Sequence, residues 1–379
     1  ELRYGRMLES PFKFFRGNAL LQAHDLAGTA SMGLVSPICG DAHLLNFGGF
    51  ATTEHNLLFS LNDFDQAHPG PWEWDLKRLA ASFVIAAGDL RHGESVEESV
   101  CRDMIGAYQA TLFECAEQSS METWYESITH TDLLAQASKS TLEHVERAIE
   151  KAERRTHAHG LPKVIERDAH GRLMIRDDLP EIFHLQKKTT LLDAEDDWLR
   201  LADWRPLCDT LMREYRGTLQ PDRRELLSRF HVQDLAFKVV GVGSVGMRCL
   251  VVLLSDDQQF PLFLQFKEAR RSVLADYVKS KSRVRHEGQR VVEGQRLMQA
   301  ASDLFLGWTT GPNGRHFSVR QLRDMKVSAE LETFDAETFA AYGRVCGRAL
   351  ARAHAKASGL AAQISGYIGK GDALADALV

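Results

Sequence analysis

Gly241-Val242-Gly243-Ser244-Val245-Gly246, preceded by Phe237-Lys238-Val239-Val240 and followed by the apolar run Cys249 to Leu254, is the stretch whose reading decides the fold. The spacing G-x-G-x-x-G lets backbone N–H groups approach phosphate oxygens with no Cβ in the way, and more than one fold uses it. The segment after the last glycine separates those folds. A dinucleotide-binding turn opens a helix. Here Cys249 to Leu254 has the Val and Leu content of a strand, stops at Ser255-Asp256-Asp257, and is followed by a second strand pattern, Leu262 to Phe266, running into Lys267.

Strand, glycine loop, strand, turn, strand with lysine is the order of a lobe in which the loop covers the phosphates of ATP and the lysine reaches them. Gly241, Gly243, Ser244, Gly246 and Lys267 are therefore candidate nucleotide-binding residues, together with Gln321 and Leu322 at the end of the last strand of that lobe. A lysine near a strand end is ordinarily a surface group. It gains weight here because the helical pattern over 284–301 carries Glu287 and Glu293, two carboxylates that could hold it. Glu293 is the preferred partner and Glu287 stays open. Leu304 to Trp308 and Phe317 to Leu322, on either side of Gly311-Pro312-Asn313-Gly314, complete an expectation of five strands and one helix.

Far upstream, Gly40-Asp41-Ala42-His43-Leu44-Leu45-Asn46 and Asn62-Asp63-Phe64-Asp65 each follow a short strand pattern, Val35 to Cys39 and Leu57 to Leu61. An aspartate in such a turn can take the proton of an attacking hydroxyl. Asn46, Asp63 and Asp65 offer the hard oxygen donors that Mg²⁺ prefers, and two or three suffice because phosphate and water complete its shell. His43 is expected to hold the loop by hydrogen bonding, and Asp75, on the helix after Trp74, to anchor the loop backbone. Arg16 is either a phosphate contact or a surface arginine at the start of a helix. A rival reading gathers Asp41, His43, Asp63, Asp65 and His68 into a hydrolase metal cluster, which leaves the glycine loop and Lys267 unexplained.

The run from Gly40 to Asn46 resembles the G-D-x-H-x-x-N catalytic loop of aminoglycoside phosphotransferases and related small-molecule kinases, and Asp63-Phe64-Asp65 resembles their metal-binding turn. Trp74-Asp75-Leu76 resembles the W/Y-D-L segment next in order there. The resemblance implies Asp41 as catalytic base, Asn46 and Asp63 on Mg²⁺, and an ion pair between Lys267 and Glu293. Gly343 to His354 resembles the helix that in those kinases runs directly into the catalytic loop. Here it closes the chain, and the nucleotide half comes after the catalytic half. The implied fold is α+β, bilobal and protein-kinase-like, circularly permuted, with a five-stranded nucleotide lobe and a mainly helical lobe. Cys39 stands where small-molecule kinases usually place histidine, and Asp65 where protein kinases place glycine. Nearly the whole chain also resembles a bacterial family known only as domain-of-unknown-function family 2252. The segments 39–48, 70–79 and 238–246 carry that likeness, and the family name implies no activity.

The chain of 379 residues, 44% of them hydrophobic, is long enough for two lobes. The expected division is 1–230 for a helical catalytic lobe, 231–324 for the nucleotide lobe, and 325–379 for a hinge and a helix returning to the catalytic lobe. A net charge of −6 with intermixed signs gives no reason to expect a nucleic-acid partner. Apolar runs are too short to span a bilayer and no signal-peptide pattern opens the chain, so no membrane is expected. Six scattered cysteines without a C-x-x-C pair point away from zinc and disulfides and toward a cytoplasmic location. The expected activity is Mg²⁺-dependent transfer of the γ-phosphoryl group of ATP to a hydroxyl of a small polar metabolite or a protein. Protein nucleotidyl transfer, a nucleotide-binding pseudokinase scaffold and a metal-dependent hydrolase are the alternatives. Residues 91–230 are the expected source of the acceptor pocket.

Overall fold

The two apolar runs that flank Ser255-Asp256-Asp257 become the strands Cys249–Ser255 and Pro261–Ala269, paired antiparallel with Cys249 opposite Lys267. They form the centre of a six-stranded antiparallel sheet, ordered Gly307–Thr310, His316–Gln321, Pro261–Ala269, Cys249–Ser255, His231–Lys238, Ile182–Phe183. The computed structural model describes residues 2–153, 164–179, 181–184, 204–239, 247–322 and 327–379. It is a mixed α+β molecule, in which this sheet lies beside a larger helical core.

The expected five-stranded sheet has six strands. Ile182–Phe183 is too short to show any periodicity, and the strand expected from Phe237 already begins at His231. The strand expected at 304–308 is displaced to Gly307–Thr310. Asp303 is the reason, because its carboxylate accepts the N–H of Phe305 at 2.7 Å and of Gln321 at 2.7 Å, turning Leu304 and the buried Phe305-Leu306 into a corner. The helix Arg205–Thr218 buries Leu207, Cys208, Leu211, Met212 and Tyr215 with Leu250, Val252, Phe266 and Val319 of the sheet. Residues 182–183 and 205–218 thus belong with the sheet, ahead of the boundary expected near 230.

The helical core is built from Trp72–Asp89, Glu94–Glu117 and Ala336–Ser358. Apolar residues at helical spacing put Trp72, Leu76, Leu79 and Phe83 on one buried face. Trp72 stacks on Tyr108 with ring centroids 6.0 Å apart. Residues 35–38, whose side chains are alternately buried, pair with His68–Pro71, which leads directly into the first of these helices. The hairpin Phe47–Ala51/Leu57–Leu61 gains Val327–Ser328 as a third strand, so the chain leaving the six-stranded sheet returns to the helical core beside Gly48 and Gly49. The helix Ala336–Ser358, capped by Asp335 at its start and by Gly359 (φ +66°) at its end, then packs against both Glu94–Glu117 and the strand Val35–Ile38.

No helix among the described residues is long and apolar enough to cross a membrane.

Candidate functional site

The loop after Val35–Ile38 is held by the carboxylate of Asp75, in the first turn of the helix Trp72–Asp89. Asp75 is fully buried, and its two oxygens accept the backbone N–H groups of Cys39 at 2.7 Å and Gly40 at 2.8 Å. A buried carboxylate needs such donors, and hydrogen bonds to charged groups contribute about 1.5–3 kcal/mol each. Behind it, His354 Nε2 lies 3.4 Å from Asp75 Oδ2 and His354 Nδ1 lies 2.9 Å from the Tyr108 hydroxyl. Gly40 has φ +75°, and a Cβ there would come within 2.5 Å of the Gln66 carbonyl oxygen, so the position is closed to side chains. Asp75 therefore anchors the loop backbone, as its position after Trp74 implies.

Asp41 projects from this loop and is met by Arg78, three residues after Asp75 on the same helix. Arg78 Nε donates to Asp41 Oδ1 at 2.5 Å. The rest of the guanidinium is taken up by Gln22, by the Phe15 carbonyl and by the Phe15 ring, 4.3 Å from its centroid. Asp41 Oδ2 accepts no hydrogen bond among the described residues. Arg16 is the second cation here, its pKa lowered by burial against the opposing charges of Asp41 and Glu332. The Asn46 amide donates to the Asp41 carbonyl at 2.7 Å, and the Asn46 carbonyl accepts the Asn62 N–H at 2.8 Å, which ties the loop to the acidic turn. His43 does not hold the loop with its side chain as expected. Its buried Nδ1 has no partner among the described residues, and burial pulls its pKa down to about 4, so the ring is neutral.

The acidic turn meets the six-stranded sheet through Lys267, whose Nζ lies 2.5 Å from Asp65 Oδ2 and 3.6 Å from Asp63 Oδ2. Burial pulls the ammonium pKa down, but the two carboxylates more than offset it and hold Lys267 above its ordinary value. Asp65 is raised by burial and then by Asp63, against the pull of Lys267. This overturns the expected pairing of Lys267. Glu293 instead accepts from Gln289 at 2.7 Å, one helical turn back, and Glu287 accepts from Arg290 Nε at 2.5 Å.

The chain matches one family model over residues 1–379, that of an uncharacterised protein conserved in bacteria, DUF2252. The chain belongs to that family. Comparison with curated proteins and with solved structures found no match. In this DUF2252 member Gly241, Gly243, Ser244 and Gly246 lie outside the described residues. Gln321 and Leu322 sit at the end of the strand His316–Gln321 and just beyond it, and both backbone N–H groups are engaged, by Asp303 Oδ2 and by the Phe263 carbonyl. No group of three or more His, Cys, Asp or Glu among the described residues is arranged to hold a metal ion, so the hydrolase cluster of Asp41, His43, Asp63, Asp65 and His68 does not assemble. His68 is buried with Nδ1 2.7 Å from the Pro69 carbonyl.

Besides Arg78, three residues of the site escaped the sequence reading. Arg290, on the helix Glu287–Met298, donates to the carbonyls of Ala67 (2.6 Å), Asp65 (2.9 Å) and Arg270 (2.7 Å), clamping the acidic turn to the sheet side of the molecule. Gln299 Nε2 donates to the Leu61 carbonyl at 2.9 Å. Tyr342, on the returning helix, donates to the Leu44 carbonyl at 2.8 Å. All three look like ordinary helix or helix-end residues in sequence. Their contacts with residues 44–67, more than 200 positions away, give them their roles.

Proposed function

We propose that this chain is a Mg²⁺-dependent ATP phosphotransferase of bilobal, kinase-like build whose motifs run in permuted order. The observation that carries the reading is the meeting of Lys267 with Asp63 and Asp65: a strand-borne cation from the sheet side faces an acidic turn from the helical side. Support for the permutation comes from the returning helix Ala336–Ser358, whose His354 backs Asp75 although the two stand 279 positions apart.

The donor set fits the cofactor. Asp63, Asp65 and Asn46 supply carboxylate and amide oxygens, the ligands a hard cation takes, and Lys267 supplies a point charge suited to phosphate oxygens. Bound Mg²⁺ would neutralise charge on the phosphates of ATP during transfer. In this reading Lys267 exchanges its contact with Asp65 for phosphate oxygens and so releases the Asp65 carboxylate. Asp41, oriented by Arg78 through Oδ1, receives the proton of the acceptor hydroxyl on Oδ2.

The test is incubation of the purified protein with Mg·ATP and candidate hydroxyl acceptors, with products identified by mass. Phosphorylated product in the wild type and none in Asp41→Asn supports the proposal; adenylylated product redirects it to nucleotidyl transfer. Binding of Mg·ATP without any product in either protein leaves the pseudokinase scaffold.

A further inference from the structure

Beside the acidic turn, and lined by residues that bond to its backbone, lies a cavity of about 280 Å³. Its floor is Ser272, Arg290 and His68, all buried, and its mouth is formed by the exposed Arg271, Lys279 and Lys281. Arg271 is held by Asp276 at 2.5 Å, and Glu287, on the wall, is held by Arg290 at 2.5 Å, so each of those pairs is internally neutral. Lys279 and Lys281 make no ion pair among the described residues. Two ammonium groups are thus left facing the mouth of a polar cavity.

From this geometry we infer a binding site for a small phosphoanion carrying about two negative charges, distinct from the proposed nucleotide site. The charge balance sets the class, because two unpaired ammonium groups match a dianionic phosphate better than a monocarboxylate. The volume sets the size: it falls just below the roughly 300–1,000 Å³ of pockets that enclose drug-sized ligands, so a phosphate monoester or pyrophosphate fits better than a nucleotide. The site is also wired to the acidic turn. Ser272 donates its hydroxyl to the Gln66 carbonyl at 2.8 Å, the Val273 N–H donates to Gln66 Oε1 at 2.9 Å, and Arg290 reaches the Asp65 carbonyl. The carboxylates of the turn face Lys267 while its carbonyls are gripped from the cavity side. An anion drawing Lys279 and Lys281 inward would order the segment 271–282 and steady the turn.

The experiment is calorimetric titration of the full chain with inorganic phosphate and with pyrophosphate, without Mg²⁺. Expected is binding that weakens at least tenfold in the double variant Lys279→Ala/Lys281→Ala, whose exposed substitutions leave the ligand-free melting temperature unchanged. Binding should persist in Arg283→Ala/Arg285→Ala, outside the cavity, and in Lys267→Met, at the nucleotide site. Amide exchange of residues 63–68 should slow on addition of pyrophosphate. The inference is overturned by absence of binding in the wild type, by undiminished binding in Lys279→Ala/Lys281→Ala, by equal weakening in Arg283→Ala/Arg285→Ala, or by loss in Lys267→Met alone. Unchanged exchange in the turn overturns the coupling to it.

Discussion

Lys267 and Asp65 stand 202 positions apart in the chain and 2.5 Å apart in the fold, Nζ to Oδ2, with both side chains largely shielded from solvent. The pair closes the junction between the six-stranded sheet and the helical core, and Asp63 shares the same ammonium at 3.6 Å. Removing the cation leaves two carboxylates facing one another, one of them already raised by burial and by its neighbour. Lys267→Met is therefore expected to destabilise the fold by about 3 kcal/mol near neutral pH, in the range for breaking one side of a buried pair. The loss should shrink as pH falls and the acidic turn takes up a proton, because burial and Asp63 hold Asp65 above its ordinary value. Urea denaturation at pH 7.5 and pH 4.5 measures it, and an equal loss at both values would show that the pair carries no charge linkage.

Asp75 makes a sharper test of the loop anchor. Asp75→Ala leaves the N–H groups of Cys39 and Gly40 without acceptors in a buried place, at about 1–3 kcal/mol for each unsatisfied donor. The expected cost is about 3 kcal/mol in chemical denaturation. Asp75→Asn keeps the shape but presents an NH₂ group to one of the two donors, so it should recover only part of the loss. Stability equal to the wild type in Asp75→Ala would remove Asp75 from its anchoring role.

The elements legible in the residues are those that local pattern encodes. Leu57–Leu61 and Cys249–Ser255 lie close to where their apolar runs predict strands, and helices cover Asp75 and Gly343 to His354 as expected. The acidic turn and Lys267 are legible as a pair of motifs. The partner of Lys267 is not, because Glu293 and Asp65 are equally plausible carboxylates until the docking of the two cores chooses between them. Gln289, four residues before Glu293, takes that carboxylate within its own helix. Arg78 and Arg290 are invisible for a related reason. A charged residue on a helix is normally a solvated face, and nothing in the local sequence of either shows that it points inward at carbonyl or carboxylate oxygens.

Asp41 carries the prediction that bears most directly on chemistry. With Arg78 on Oδ1, the aspartate is oriented but still has a second oxygen to receive a proton. If the phosphotransferase reading holds, Asp41→Asn should retain nucleotide affinity while turnover falls by roughly 10²-fold or more, the scale of general-base contributions. Arg78→Lys should lower turnover less and also loosen the first helices, because Gln22 and the Phe15 carbonyl lose their donor. Single-turnover rates with saturating Mg·ATP separate the two effects. Wild-type turnover in Asp41→Asn would exclude this residue as the base.

The last prediction concerns pH and lies away from the candidate site. His184 bridges Asp234, at 2.8 Å from Nε2, and Asp177, at 2.7 Å from Nδ1, and Asp234 also accepts the Ile175 N–H at 2.7 Å. The bond to Asp234, outweighing the burial that opposes it, raises the His184 pKa from 6.5 to about 9. The folded value lies above the unfolded one, so the charged ring contributes its full stabilisation below about pH 6.5, and this is lost as pH rises through 9. At pH 6 the contribution is on the order of 2–3 kcal/mol. Denaturation midpoints of the wild type should therefore fall between pH 7 and pH 9.5, and His184→Gln, which keeps a polar side chain but does not titrate, should be less stable at pH 6 and should lack most of that fall. A His184→Gln profile parallel to that of the wild type across the same range would assign the pH dependence to other groups and reduce the bridge to a neutral hydrogen bond.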